Sequence, residues 1–208
     1  SSMPVLSGSP AVTLRHASAR PYDGAIAAAR TCYAPRVVGA DEVTPAQRET
    51  IGPLTFEGGH HTVWQHAHFE FGLENVSRQF VWSFLHSHPF YNSEQVSQRY
   101  VRVRPSSCLV PPIEGEALAV YVEGLEEQFA FYRELGEKLA PVAGAAYDRR
   151  FPARRGKAEA RRKEVERKAQ EVARYVLPVA TFASLYHTVS ALTLLRYFRM
   201  CGQPDAPW

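Results

Sequence analysis

Between residues 67 and 85 the spacing of apolar side chains changes, and that change demands a sheet and helices in the same fold. Ala67, Phe69, Phe71 and Leu73 alternate with His68, Glu70 and Gly72, the pattern of a strand with one buried face. Val76, Phe80 and Phe84, with Val81 or Leu85, then recur at helical steps until Pro89 ends the run, and Asn75 stands ready as a cap.

The flanking segments extend this reading. Pro21 to Tyr33 predicts a helix with Ile26, Ala29 and Tyr33 on one face, stopped by Pro35. Thr44-Pro45-Ala46-Gln47 carries a helix start with a capping box, and Gly58-Gly59 breaks the chain after it. Gln98 to Arg104 alternates again and predicts a second strand. The second half reads as helical: Glu114 to Leu139, repeating Leu118, Tyr121, Leu125, Phe129 and Tyr132; Arg161 to Val176; and, past a break or kink at Pro178, Thr181 to Arg199. With no internal repeat, low-complexity segment or linker, the expectation is α+β: a single domain over residues 1–208.

Composition narrows the function classes. The 208 residues carry a formal net charge of +3, too weak a field to predict binding to a nucleic-acid polymer. No apolar run approaches the ~18 residues of a membrane helix. Ser1-Ser2-Met3-Pro4 has neither a basic region nor an apolar core, so no export signal is expected there. Cys32, Cys108 and Cys201 lie far apart without a CxxC, which predicts a cytoplasmic protein without a disulfide framework. Between Arg149 and Lys163 stand eight basic residues and one acid, a pattern that solvated helix faces commonly show.

Six of the eight histidines fall between His60 and His88. If His66 and His68 share a strand, they project to one face, as two metal ligands would, with His86 or His88 as further candidates. Hydrogen bonding within a loop and contact with an anionic ligand explain the same residues. No carboxylate sits at a recognised metal-ligand spacing and no short Cys–His pair exists, so no metal site is assigned. Downstream, the segment from His86 through Gln95 to Tyr100 places small hydroxyls beside Arg99, whose guanidinium suits an oxyanion.

Together these segments resemble the flavin-dependent thymidylate synthases, the ThyX family. The signature of that family is Arg-His-Arg followed, after a short spacer, by Ser-x-Arg. Here His86-Ser87-His88 precedes Ser97-Gln98-Arg99-Tyr100 by eight residues. His60-His61-Thr62-Val63-Trp64-Gln65-His66 is similar to the family's His-x-Thr-Pro-Phe-Glu-His, and Ser77-Arg78 opens the helix leading into the signature. Ala173-Arg174-Tyr175-Val176-Leu177-Pro178 resembles Ala-Arg-x-Val-Leu-Pro, and His187-Thr188-Val189-Ser190-Ala191-Leu192 resembles Trp-Thr-x-Asn-Ala-Arg. Ala206-Pro207-Trp208 resembles Ala-Gln-Trp.

The resemblance implies a small antiparallel sheet flanked by long helices, and terminal helices that family members carry beyond the point where this sequence stops. It implies conversion of dUMP to dTMP using FAD, NADPH and methylene-tetrahydrofolate, without a cysteine nucleophile, in a homotetramer. By position, Gln95, Ser97, Gln98, Arg99 and Arg174 bind the nucleotide. His60, Thr62, Gln65, His86, Ser87, His88 and Ser190 face the FAD. No catalytic residue is assigned, since the flavin carries the chemistry.

The departures from the pattern concern charge. Both signature arginines are His here, the central His is Ser87, the Arg of Asn-Ala-Arg is Leu192, and a later expected Arg is Cys201. Histidine, with a pKa near ~6.5, carries only part of a charge at neutral pH. Two alternatives follow: a diverged paralogue acting on another uridine nucleotide, and a non-catalytic nucleotide-binding or oligomerisation module.

Overall fold

A computed structural model describes residues 9–99, 101, 103, 107–154, 156 and 158–204. In chain order the elements are β1 (Ala11–Ala17), α1 (Pro21–Thr31), α2 (Pro45–Glu57), β2 (His68–Ser77), α3 (Arg78–Ser87), β3 (Asn92–Gln95), α4 (Gly115–Arg150), α5 (Ala158–Ala173), β4 (Phe182–Ser190) and α6 (Ala191–Cys201). The strands form a small antiparallel sheet ordered β1-β2-β4-β3. β2 passes into α3, and β4 into α6, with no residue between strand and helix. The expected α+β class with long helices is therefore what the chain adopts. Among the described residues no helix is long and apolar enough to cross a membrane.

The chain divides into two compact units. The first gathers residues 11–73, 82–94 and 185–204. Its core joins Ala25 and Ala29 of α1 to Val63, Trp64 and Leu192; the small residues on α1 let neighbouring elements approach closely. Ile26, Ala27, Val38 and Val43 form a second cluster on the same helix. Asp23 of α1 accepts two hydrogen bonds from Arg48 of α2, at 2.6 and 2.7 Å. That guanidinium holds the Asp23 carboxyl below the usual carboxylate range. The capping box of α2 forms as its sequence demands: Thr44 Oγ1 accepts from Gln47 N at 3.3 Å, and Gln47 Oε1 accepts from Thr44 N at 3.1 Å.

The second unit gathers the described residues among 9–10, 74–81 and 95–184, and is dominated by the α4–α5 hairpin. Leu125, Phe129 and Tyr132 are buried along α4, and Val165, Ala169 and Ala173 recur every four residues on α5. Cys108 packs with Leu125 and Phe129. Asp148 and Arg161 close the hairpin with two 2.7 Å hydrogen bonds. The helices approach closely at Gly144, where a Cβ would lie 3.0 Å from Arg161 Nη2 and press on the end of that side chain. Within the basic run, Arg161, Arg162 and Lys163 are all paired with carboxylates, and the Arg155 and Lys157 positions lie outside the described residues.

Five sequence expectations need correction. The Thr181–Arg199 segment is β4 followed by α6. Ala183, Leu185, His187 and Val189 are buried and alternate with exposed or half-buried neighbours, a period of two that the helical residues after Ser190 obscure. The α3 cap is Ser77, whose Oγ accepts from Phe80 N at 3.0 Å. Asn75 instead lies within β2 at a positive φ of 55° and donates from its side-chain amide to Ser9 O. The Gln98–Arg104 strand is absent among the described residues: Gln98 and Arg99 occupy a turn, while Tyr100, Arg102 and Arg104 lie outside them. The strand that forms nearby, at one edge of the sheet, is β3, whose sequence Asn-Ser-Glu-Gln carries no hydrophobic alternation to announce it. α1 ends at Thr31, which leaves Tyr33 89% exposed rather than inward-facing. Finally, α4 does not stop at Leu139 but runs through Pro141 to Arg150.

Candidate functional site

The expected nucleotide contacts assemble in the second unit around the ends of α3 and α5. Arg78, the first residue of α3, donates from Nη1 to Gln95 Oε1 at 3.1 Å and from Nη2 to Val96 O at 2.7 Å. Its Nε is buried without a hydrogen-bond partner. Burial, and then the Arg174 charge, push the Arg78 guanidinium below its ordinary value. Arg174 follows α5 and donates from Nε to Glu171 O at 3.0 Å. Arg99 pairs with the Glu171 carboxylate at 3.0 Å, and Lys168 and both arginines hold that carboxyl below its usual range.

The turn after β3 is braced from beneath. Thr181, fully buried, accepts from Gln98 Nε2 at 3.0 Å. Gln98 O accepts from Gln170 Nε2 at 3.2 Å, and Ser97 Oγ accepts from Arg99 N at 3.2 Å. The structure thus places Gln95 and Arg174 beside Arg78, and Ser97, Gln98 and Arg99 on the turn that follows the Val96 carbonyl it holds. In the sequence Arg78 stands out only as the opening of a helix; its adjacency to the strand end is what sets its side chain beside Gln95. A half-buried guanidinium disfavoured by its burial and by a second one nearby forms an environment that an anion stabilises.

The remaining candidates lie in the first unit, in two places. Residues His61–His66 form a 3-10 turn between α2 and β2, entered through Gly59 at a φ of 77°, where a side chain would be strained. Buried Val63 and Trp64 anchor it, and His61 Nε2 contacts Phe56 O at 2.8 Å. Thr62 and Gln65, three apart in a 3-10 turn, share one exposed face. His60 lines a cavity of about 540 Å³ with Arg30, Tyr33 and Thr55. Because His66 belongs to this turn and not to β2, it and His68 do not share a strand face.

The second place is the C-terminal end of α3. His86 stacks on Trp82 with ring centroids 4.0 Å apart, and its Nδ1 meets Trp82 O at 2.6 Å. Ser87 Oγ donates to Phe84 O at 2.7 Å. Both side chains are thereby bonded to carbonyls of their own helix. His88 instead turns to α6, where its Nε2 lies 3.2 Å from Arg196 Nη1. Burial and the Arg196 charge lower the His88 pKa. A guanidinium at that nitrogen opposes a metal cation, and no group of three metal-ligating side chains occurs among the described residues. Ser190 caps α6 by accepting from Thr193 N at 3.3 Å.

Behind this ledge His187, 2% exposed, packs among Phe84, Tyr91 and Tyr197. Its Nε2 contacts Tyr197 Oη at 3.1 Å, while Nδ1 is buried without a partner. The tautomer donating from Nε2 leaves only a bare lone pair at Nδ1, the milder deficit. Burial pushes the His187 pKa down to about 4. In the same unit a cavity of about 620 Å³ is lined by Tyr22, Phe56, Trp64, Phe69, Leu195 and Phe198, among others. It is wide and apolar enough for a planar ring.

Comparison with known proteins gives these clusters a context. The family model for thymidylate synthase complementing proteins matches residues 14–208. A flavin-dependent thymidylate synthase of Clostridium tetani (strain Massachusetts / E88) is 28% identical over 188 residues, covering 87% of this chain and 70% of that protein. One from Mycobacterium sp. (strain JLS) is 36% identical over 109 residues, 48% of this chain and 42% of its own length. Among solved structures, the UMP/dUMP methylase PolB from Streptomyces cacaoi bound with 5-Br dUMP superposes with a TM-score of 0.64 at 19% identity, covering 98% of this chain and 83% of that one. Helicobacter pylori ThyX complexed with FAD and dUMP gives 0.62 at 17% identity, covering 94% and 86%. At these identities the structural likeness speaks for the fold.

Proposed function

Because the chain belongs to the thymidylate synthase complementing family, we propose that it is a flavin-dependent methylase of a uridine nucleotide, converting dUMP to dTMP. The observation that carries this is the convergence of Arg78, Arg99 and Arg174 on one turn, with Gln98 braced beside them. Guanidiniums grip a phosphate through parallel charge-assisted hydrogen bonds, and a planar amide can read the donor and acceptor pattern of a pyrimidine edge.

In this reading Arg174 and Arg99 hold the phosphate, Ser97 contributes its hydroxyl, and Gln98 and Gln95 orient the base. Arg78, tied to Val96 O, sets the position of the turn and adds its charge from below. Glu171 keeps Arg99 extended until a nucleotide competes for it.

The first unit suits a flavin dinucleotide in its donor set. The Trp82–His86 stack offers a face for a planar ring, the His88–Arg196 pair offers donors to a diphosphate, and Thr62 and Gln65 present polar groups from one side of their turn. When bound, the reduced flavin supplies the reducing equivalents that turn a one-carbon unit into a methyl group. The chain positions both partners and neutralises their phosphates. Methylene-tetrahydrofolate as the carbon donor, NADPH as the reductant and a homotetrameric assembly complete the proposal. The three free cysteines support a reducing, cytoplasmic setting.

A second reading concerns the sugar, because PolB, to which this chain is similar, is a UMP/dUMP methylase. The test is the absorbance of the purified protein between ~350 and ~500 nm, followed by NADPH oxidation with dUMP and with UMP. Flavin bands and dUMP-dependent oxidation are expected. A colourless protein that takes up no added FAD and oxidises no NADPH overturns the assignment; a preference for UMP replaces the substrate alone.

A further inference from the structure

Building on the flavin reading, we propose that Arg196 is the residue that grips the anionic diphosphate of the dinucleotide in this chain, in place of the arginines that its signature segment lacks. In His86-Ser87-His88 two of the three side chains are bonded to carbonyls of α3, so the segment itself offers little to an anion. His88 alone points elsewhere, and what it meets is a guanidinium on α6.

An arginine beside a histidine is stable only when the imidazole is neutral and accepts. Burial and the neighbouring guanidinium keep His88 in that form. Phe90 N directs a longer hydrogen bond, 3.5 Å, at Nδ1; a neutral ring has one lone pair for the two donors, and the shorter 3.2 Å contact to Arg196 assigns it to Nε2. One Arg196 donor is spent on orientation and four remain. No carboxylate forms an ion pair with Arg196 among the described residues, and the side chain is half-buried. The stretch of α6 that carries it is held on both sides: Thr193 Oγ1 donates to Phe90 O at 3.1 Å, and the adjacent Tyr197 contacts His187. The result is an oriented cation at the same end of α3 as the exposed Trp82–His86 stack. A ring surface with a cation near it matches a dinucleotide, whose anionic diphosphate lies between planar groups.

The test is direct titration of the flavin-free protein with FAD, followed by flavin fluorescence, at low and at high salt. Arg196→Ala is expected to weaken FAD by about tenfold or more and to flatten the salt dependence of binding. His88→Arg introduced into that variant is expected to recover most of the affinity. Arg196→Gln, which can still donate to His88 but carries no charge, repeats the comparison should the alanine variant fail to fold. Affinity within about twofold of wild type, a loss with an unchanged salt slope, or no recovery in the double variant overturns the inference. If the wild-type protein itself binds no FAD, the flavin reading falls first and this inference falls with it.

Discussion

Arg78 shows how one side chain can tie a sheet to a binding turn. Its two Nη groups are spent on Gln95 and Val96, its Nε is unpartnered, and Arg174 adds to the destabilisation of its charge. An anion relieves that situation, so Arg174→Ala should weaken dUMP by about 10- to 100-fold in a calorimetric titration, the worth of one charge-assisted contact. His187 governs a different property. Its folded pKa, about 4, lies below the unfolded value of 6.5, so both states are neutral above pH 6.5 and stability falls as pH drops from there toward 4. The loss is on the order of 3 kcal/mol. Phe84, Tyr91 and Tyr197, the groups packed against it, offer no carboxylate to offset that charge. Urea unfolding of His187→Phe should show a shallower decline over that pH range than wild type. Ser97, Gln98, Arg99 and Arg174 can be proposed from the sequence through the family signature, whereas the proposed parts of Arg78 and Arg196 rest on contacts across long sequence separations that only the fold supplies.

Among the elements, the α4–α5 hairpin carries the core of its unit. Phe129 is 3% exposed and packs with Cys108 and Leu125, so Phe129→Ala should cost about 3–5 kcal/mol in urea unfolding. Local signals were read correctly where local chemistry decides them. The Thr44–Gln47 box and the alternation in β2 need no distant partner to be recognised. β4 was misread as helix because its alternating residues run straight into α6, and a window spanning both averages two periods. β3 escaped notice because an edge strand made of polar residues is specified by its neighbours rather than by its own pattern. Asn75 has a good capping side chain, but its positive φ and its bond to Ser9 place it inside the strand.

For the molecule as a whole, several large apolar side chains stand in water, among them Trp82 at 65% and Phe198 at 79% exposed. Such surface invites burial in an assembly. Light scattering should give four times 23.3 kDa, about 93 kDa, and a mass of one chain would remove the homotetramer from the proposal. One junction governs what such a protein can tolerate through evolution. β4 becomes α6 at Ser190–Ala191 with no loop to absorb a change in length. The strand register is locked by alternate burial, so it works as the fixed end of a crank whose arm is the helix. One added residue turns that arm by about 100°, swinging Arg196 away from His88 while leaving every amino acid in place. An alanine inserted after Ser190 should therefore abolish FAD binding in a fluorescence titration. The gene can drift in letters here, but not in length.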